Sequence, residues 1–589
     1  MPLSLGEVVA GLSTAWVVQA LLQKYLAVKA AQSQLRVCPG GSLLWLHPFR
    51  TFALVLGPIF PLKGRMGYYY AAFSSVFKQY GSTCLSSITF WNAIPTFWVS
   101  DADAIKAVHT GRAVFTKDVE AYETLNIYGE NIVGTEGAEW KRHRSVANSA
   151  FNETNNALVW RETIRVVGEW FAELGESKPN PERTFSVDLV KDLTQVALLV
   201  ISAAGFGRRV SYKDDLNTEP PPGHKLAFRP AVTSTLHHVI TKAITPTWLF
   251  NFSDRVHIPL ITPLLNEARD SFDALRAHMM EVISLARAWI AGGKSETMDA
   301  ALLRNLVEAN MSHSDGLDSH RHLSDDELLS DTFTFLLAGH ETSAHSLCFS
   351  IILLALYPDF QQRVYEEALR LWPDGVPSPT NLSAFQGPIQ SYKESMASLV
   401  IVPVNPFSLP HEIHVNFQEY TTAVFYETLR LFPPVARLAK HVQLDTRLSA
   451  RRFQTNAKGE VTNVEKYDVP IKTGSIVIID ILGLHNNPIH WGEDAANFKP
   501  ERFIDTDTYR WPRDAFNAFS GGPRSCIGQR FSVTESTCIL ALVARNYEVR
   551  VPDELRNKSL DEQKRILLAW TPGITITPKN ARVTFIPRS

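Results

Sequence analysis

Cysteine is scarce in this chain and poorly placed for pairing. Five cysteines, Cys38, Cys84, Cys348, Cys526 and Cys538, are scattered over 589 residues. No two form a C-x-x-C pair, and an odd, sparse set excludes the disulfide framework of a small secreted protein. The body of the chain therefore reads as reduced and intracellular. An excess of one charge is also lacking: 58 Lys and Arg against 60 Asp and Glu leave a formal net charge of −2. That balance gives no electrostatic footprint for nucleic acid, so no nucleic-acid partner is expected. Internal repeats, long low-complexity tracts and a glycine-rich dinucleotide motif are absent as well.

The N-terminus lacks the basic residues that precede the apolar core of a secretory signal, because no Lys or Arg comes before Val8. The mostly apolar stretch 8–22 (VVAGLSTAWVVQALL) is followed instead by Lys24, Lys29 and Arg36. This order predicts an uncleaved membrane anchor with the downstream chain in the cytosol. A second apolar stretch, 43–61, carries three prolines and a glycine and is expected to lie on the bilayer surface. Cys38-Pro39-Gly40-Gly41 reads as a hinge, so residues 1–38 form the anchor and hinge and 39–589 the main domain.

Helical periodicity dominates the remainder, with strand-like runs near 467–482 and 574–585. The fold class expected is mainly α with small β-sheets. The clearest helix spans 324–357, opened by a Ser324/Glu327 capping box and closed by Pro358. It is apolar on most sides and so belongs in the middle of the protein. Its centre, Ala338-Gly339-His340-Glu341-Thr342, places a glycine, an acid and a hydroxyl where packing would favour Leu or Ala. This reads as a groove for a closely approaching ligand beside a proton-carrying pair. The plainer reading is a kink with Thr342 bonded back to the main chain.

Near the C-terminus, Phe519-Ser-Gly-Gly522-Pro-Arg524-Ser-Cys526-Ile-Gly528 presents a cysteine on a glycine-rich loop at the start of a helix. Helix N–H groups there favour thiolate. Gly522 and Gly528 allow close approach of a flat ligand, and Arg524 supplies a cation for its acidic groups. The pattern F-x-x-G-x-R-x-C-x-G resembles the haem-binding signature of the cytochrome P450 family. Glu427-Thr-Leu-Arg430 is similar to the family's E-x-x-R pair and Pro500-Glu501-Arg502-Phe503 to its P-E-R-F element. Glu367-Ala-Leu-Arg370 also matches E-x-x-R, but only Glu427 stands in the family's order and context. Trp140-Lys-Arg-His-Arg144 resembles the helix that holds the haem propionates, and the 338–342 segment resembles the oxygen-binding groove.

The resemblance implies haem b with iron held by the Cys526 thiolate. It implies Trp140, Arg144, Arg524 and Lys440 around the propionates, with Phe519, Gly528, Ala338 and Gly339 against the macrocycle. Glu341 and Thr342 become the acid–alcohol pair that handles protons during oxygen activation, and Glu427, Arg430 and Arg502 a buried scaffold. It further implies NADPH used indirectly, through a separate NADPH–cytochrome reductase in the same membrane, the endoplasmic reticulum. A lipophilic small-molecule substrate follows, with pocket walls from 115–133, 229–252, 334–342, 435–438 and 570–574. The style is that of fungal members, where terpenoid and other secondary metabolites are common substrates. A reductase-independent peroxide isomerase or dehydratase and a non-catalytic haem-binding protein are the alternatives.

One segment departs from the family: residues 395–416 (SMASLVIVPVNPFSLPHEIHVN) stand where a short connection is usual. Its apolar, proline-rich composition is odd for a loop and fits a translated intron, a membrane-facing loop being the alternative. Sequencing the mature transcript is expected to show the segment removed; a message that retains it refutes the intron reading.

Overall fold

The computed structural model describes residues 5–35, 37–40, 42–44, 76–89, 92–177, 184–246, 248–250, 257, 259, 261–293, 298–312, 321–372, 419–573 and 575–588. The insertion expected at 395–416 and all but the first two residues of the 43–61 stretch lie outside the described residues. The chain divides into two compact units. One comprises Met1–Tyr122, Val435–Asn497 and Pro512–Ser525; the other comprises Glu123–Pro434, Phe498–Trp511 and Cys526–Ser589.

The first unit is built on a six-stranded sheet. Its order is Ser42–Leu44, Cys84–Thr89, Ile94–Val99, Ile476–Asp480, Arg437–Val442, Phe115–Lys117. The run Ile-Val-Ile-Ile at 476–479 has no alternation, as suits a strand buried on both faces, and every residue of Ile476–Asp480 is buried. Leu85, Trp98, Ala439, Ile476 and Ile478 meet Phe77 and Phe453 in one apolar cluster. A hairpin of Thr446–Thr455 and Val461–Ile471 forms a separate two-stranded sheet that packs on the first through Phe453. The N-terminal helix Leu5–Gln34 is twice as long as its apolar core. Near its C-terminal end Val28, Ala31 and Leu35, spaced three and four apart, are buried. Earlier in the helix Leu12, Trp16, Val18, Leu21, Leu22 and Leu26 are exposed.

The second unit is helical around Asp325–Leu356, which at 32 residues runs for about 48 Å. The Ser324/Glu327 capping box forms at its start, and Pro358 opens the next helix, Pro358–Leu371. Against it packs Leu189–Phe206, buried throughout from Gln195 onward and capped by Asp188. Among the described residues this is the one unbroken helix long and apolar enough to cross a bilayer, but most of it is buried inside the protein. Gln529–Asn546 and Glu419–Leu431 complete the bundle around the central helix. A three-stranded antiparallel sheet of Tyr547–Arg550, Arg582–Pro587 and Phe185–Asp188 closes one side.

Gly339 has a packing task that the sequence did not show. A Cβ there would lie 2.9 Å from Ile201 Cγ1 and 3.1 Å from its Cδ1, so the missing side chain is the slot into which Ile201 fits. Close approach of Leu189–Phe206, as well as any ligand, accounts for this glycine. Gly339→Ala should gain about 0.5–1 kcal/mol of helix propensity. It should lose about 1–3 kcal/mol to overpacking. Denaturant unfolding is therefore expected to show net destabilisation, reversed in an Ile201→Ala background; stabilisation in the otherwise wild-type chain would contradict this packing account.

Candidate active site

Cys526 sits two residues before Gly528, which caps Gln529–Asn546 with no side-chain partner for the first N–H groups. The helix start is thus left with donors facing the sulfur's side. The thiol retains exposed surface. Burial pushes the thiol above its ordinary value, while the Gly528 N–H and the Arg144 guanidinium draw it down. The donors at the helix terminus act in the expected direction, and desolvation opposes them. Desolvation outweighs these donors, and a bound metal is what would hold the sulfur deprotonated.

Three glycines of the loop do different work. Gly522 has φ +65°, and a Cβ there would lie 2.7 Å from the His109 carbonyl oxygen. Gly521 is similarly closed by the His109 ring at 2.8 Å. The end of the Ala102–Thr110 helix therefore by itself demands these glycines. At Gly528 no described residue beyond its chain neighbours comes closer to a Cβ than 3.9 Å, so its bare backbone is open to whatever lies against Cys526. Phe519 and Arg524 are both half-buried on the loop, Arg524 within electrostatic reach of Tyr122. Lys440 lies on Arg437–Val442 in register with Lys117 and Val477, and its charge helps keep His109 neutral.

The loop's anchorage was not legible in the sequence. Asn517 Nδ2 lies 2.9 Å from His109 Nε2, and the Asn517 N–H donates to His485 Nε2 at 2.8 Å. Burial holds His109 down at about 4, so the ring is neutral and its Nε2 is free to accept. His485 stacks on Phe516 with ring centroids 5.3 Å apart.

In the helical unit, Gly137–Asn148 carries Trp140 and Arg144 four residues apart, on one face. Trp140 is buried and Arg144 half-buried, with Arg144 close enough to Cys526 for their charges to interact. Neighbouring residues clamp this helix to the central one. His143 Nδ1 lies 2.6 Å from Asp331 Oδ2, and Arg142 Nη1 donates to Glu327 Oε2 at 3.0 Å. Asp331 Oδ1 also accepts from the Ile132 N–H at 2.8 Å. The motif W-x-x-x-R gave no hint of the two residues within it that fix its orientation.

At the middle of the central helix Ala338 is exposed, and Gly339, Glu341 and Thr342 are half-buried, whereas 328–337 and 343–356 are buried throughout. Within the long buried run, the helix is therefore accessible at this one turn. Thr342 Oγ1 donates to the Ala338 carbonyl at 2.8 Å, the back-bond of the plainer reading, and its oxygen remains able to accept. Burial raises the proton affinity of Glu341, opposed by the Thr575 hydroxyl, which donates to Oε1 at 3.0 Å.

Glu427 and Arg430 are both fully buried on Glu419–Leu431, with Nε–Oε2 at 2.6 Å and Nη2–Oε1 at 2.8 Å. Arg502 Nε stands 3.6 Å from Glu427 Oε1, and the Lys499 N–H donates to the same oxygen at 2.9 Å. The other E-x-x-R acid, Glu367, has its own function. It accepts from the N–H groups of Tyr420 and Thr421 at 2.9 and 2.8 Å, capping the helix that bears Glu427. Glu535, on the helix that follows Cys526, is fully buried beside Ser343, and desolvation pushes it up to about 8. No motif flagged it; an acid in an otherwise apolar helix register was the available signal.

Haem fits these residues: an accessible thiol with donors behind it, an open glycine backbone beside it, and a cation, Arg144, within its electrostatic reach. The family model for cytochrome P450 matches residues 48–383 and 408–585. The break at 384–407 overlaps the segment read as an insertion. "Cytochrome P450 monooxygenase 124" of Postia placenta is 33% identical over 574 residues, covering 96% of each chain. "Cytochrome P450 monooxygenase prx9" of Penicillium rubens is 26% identical, covering 82% of this chain and 78% of its own. A phomenoic acid biosynthesis cluster cytochrome P450 monooxygenase of Leptosphaeria maculans is 25% identical, covering 80% and 76%. The chain belongs to the cytochrome P450 family, and as an enzyme it is an oxidoreductase of the monooxygenase kind.

Proposed function

We propose that this protein is a membrane-anchored haem-thiolate monooxygenase that hydroxylates a lipophilic small molecule. Its electrons come from NADPH through a separate NADPH–cytochrome reductase. The observation that carries this reading is the single polar opening in the central helix, where Glu341 and Thr342 stand together in an otherwise buried element. Haem, when bound through Cys526, supplies the oxygen-activating chemistry. Inserting one oxygen atom and releasing the other as water consumes two electrons and two protons, so a proton-holding acid must stand at the site. Glu341 suits that task, since burial raises its proton affinity toward the range of a working acid. Thr342, its hydrogen committed to Ala338, can accept a hydrogen bond on its oxygen. Trp140, Arg144, Arg524 and Lys440 would hold the propionates. Phe519, Gly528, Ala338 and Gly339 would line the macrocycle, and Glu427, Arg430 and Arg502 would keep the scaffold in register.

The exposed Leu12, Trp16, Leu21, Leu22 and Leu26 on Leu5–Gln34 support an anchor in the endoplasmic reticulum membrane, with Lys24 and Lys29 at its cytosolic end. A shared bilayer raises the effective concentration of both reductase and a lipophilic substrate. Terpenoids are the substrate class favoured among secondary metabolites. The insertion at 395–416 is read as a translated intron.

With reductase, NADPH and lauric acid as a lipophilic probe, Glu341→Gln and Thr342→Ala should keep consuming NADPH. Hydroxylated product should fall by about 10²-fold while hydrogen peroxide rises in its place. Wild-type coupling in both variants would overturn the proton-handling roles given to Glu341 and Thr342, whereas full turnover without NADPH and reductase would overturn the monooxygenase reading in favour of a peroxide rearrangement.

A further inference from the structure

Beyond the acid–alcohol pair, Glu341 is tied to a third and fourth residue. Thr575 Oγ1 donates to Glu341 Oε1 at 3.0 Å, and His345 Nδ1 lies 2.9 Å from the same Thr575 oxygen. His345 stands one turn beyond Glu341 on the central helix, so both face the same side and Thr575 bridges them. Thr575 and His345 are buried, at 3% and 6% exposure, and the loop carrying Thr575 is fixed because the Ile576 N–H donates to the Pro434 carbonyl at 3.1 Å.

Proton counting decides the direction of this chain. A carboxylate can only accept, so Thr575 must spend its one hydrogen on Glu341. The Thr575 oxygen can then only accept from His345, which places the ring proton on Nδ1. Burial and the neighbouring His340 hold His345 down at about 4, so the ring is neutral at ordinary pH and donates without bringing a charge. His340 is itself buried, with Nδ1 2.7 Å from the Leu336 carbonyl oxygen, and is also kept neutral by burial. Among the described residues no other titratable group bears on His345, and no charged side chain bears on Glu341.

We propose that His345 is a positioning residue for the Glu341 carboxyl: acting through Thr575, it orients that group and sets how tightly it holds its proton. This rests on the reading of Glu341 as the proton-handling acid. The chain favours the charged form, because each donor in a hydrogen-bonded series polarises the next. It opposes the burial that raises Glu341's proton affinity, leaving an acid that can both give and regain a proton. A proton taken up on Oε2 leaves Thr575 donating to Oε1, now a neutral and weaker acceptor, so the chain favours the charged form of Glu341 over the protonated one.

The test is an infrared pH titration of the ferric, full-length holoenzyme, following the carboxylic C=O band that Glu341→Gln removes. Thr575→Val, which deletes the direct donor, should move the half-protonation pH of that band upward by about one pH unit. His345→Leu should move it in the same direction by a smaller amount, and His345→Asn, which restores an N–H at the Nδ1 position, should bring it back. An unmoved band in His345→Leu, or an upward shift that His345→Asn fails to reverse, overturns the proposal; an unmoved band in Thr575→Val does so even if the His345 variants fail to fold. The two readings fail separately. Wild-type coupling in Glu341→Gln removes the catalytic reading, whereas an uncoupled Glu341→Gln beside an unmoved His345→Leu band removes only the role given to His345.

Discussion

A carboxylate with no exposed surface is the constraint on which the helical unit turns. Glu427 is held by Arg430 through two hydrogen bonds, by the Lys499 N–H and, at longer range, by Arg502. Such a group costs several kcal/mol to desolvate, and taking away one partner typically costs about 3–5 kcal/mol, so the arrangement adds specificity more surely than net stability. Its geometry ties Glu419–Leu431 to the segment Pro500–Phe503. The helix that carries it is itself set by Glu367, whose carboxylate takes its first N–H groups. One acid caps the helix and the next fixes what lies beside it. A second ionic clamp, His143 and Arg142 on Asp331 and Glu327, sets the Trp140/Arg144 helix on the central one.

Those clamps allow the central helix to be imperfect where it matters. Thr342 bonds back to Ala338 and Ser346 Oγ bonds back to the Thr342 carbonyl, so main-chain acceptors in this turn are shared with hydroxyls. Gly339 yields its volume to Ile201 on the neighbouring helix. Glu341 then stands at the edge of the buried zone with a partner, Thr575, brought from the C-terminal segment. The polar turn is tolerable because packing on both sides of it is complete, from Leu328 to Leu337 and from Ser343 to Leu356.

The mainly helical fold with small sheets, the central helix with its cap and the cysteine loop were legible because each has a local signature: a 3.6-residue period, a capping box, a fixed motif. What stayed hidden depends on residues far apart in sequence. Gly522 looked like an accommodation to a ligand, and it also answers to the His109 carbonyl more than 400 residues earlier. His485, Asn517 and Thr575 carried no pattern, since a lone histidine or threonine is ordinary core composition. Glu367 looked like a decoy motif, and only tertiary structure shows it capping a helix some 50 residues on. The Cys526 thiol meets both the donors at its helix start, which the sequence shows, and a desolvation that cannot be read from a loop's sequence.

Ligation through Cys526 is the claim on which the others rest, and the most direct measurement is the carbon-monoxide difference spectrum of the dithionite-reduced protein beside Cys526→Ala. The account predicts a strongly red-shifted Soret band in the wild type that is absent from the variant. A wild-type protein that binds haem without that band, or a band that persists in Cys526→Ala, would contradict it.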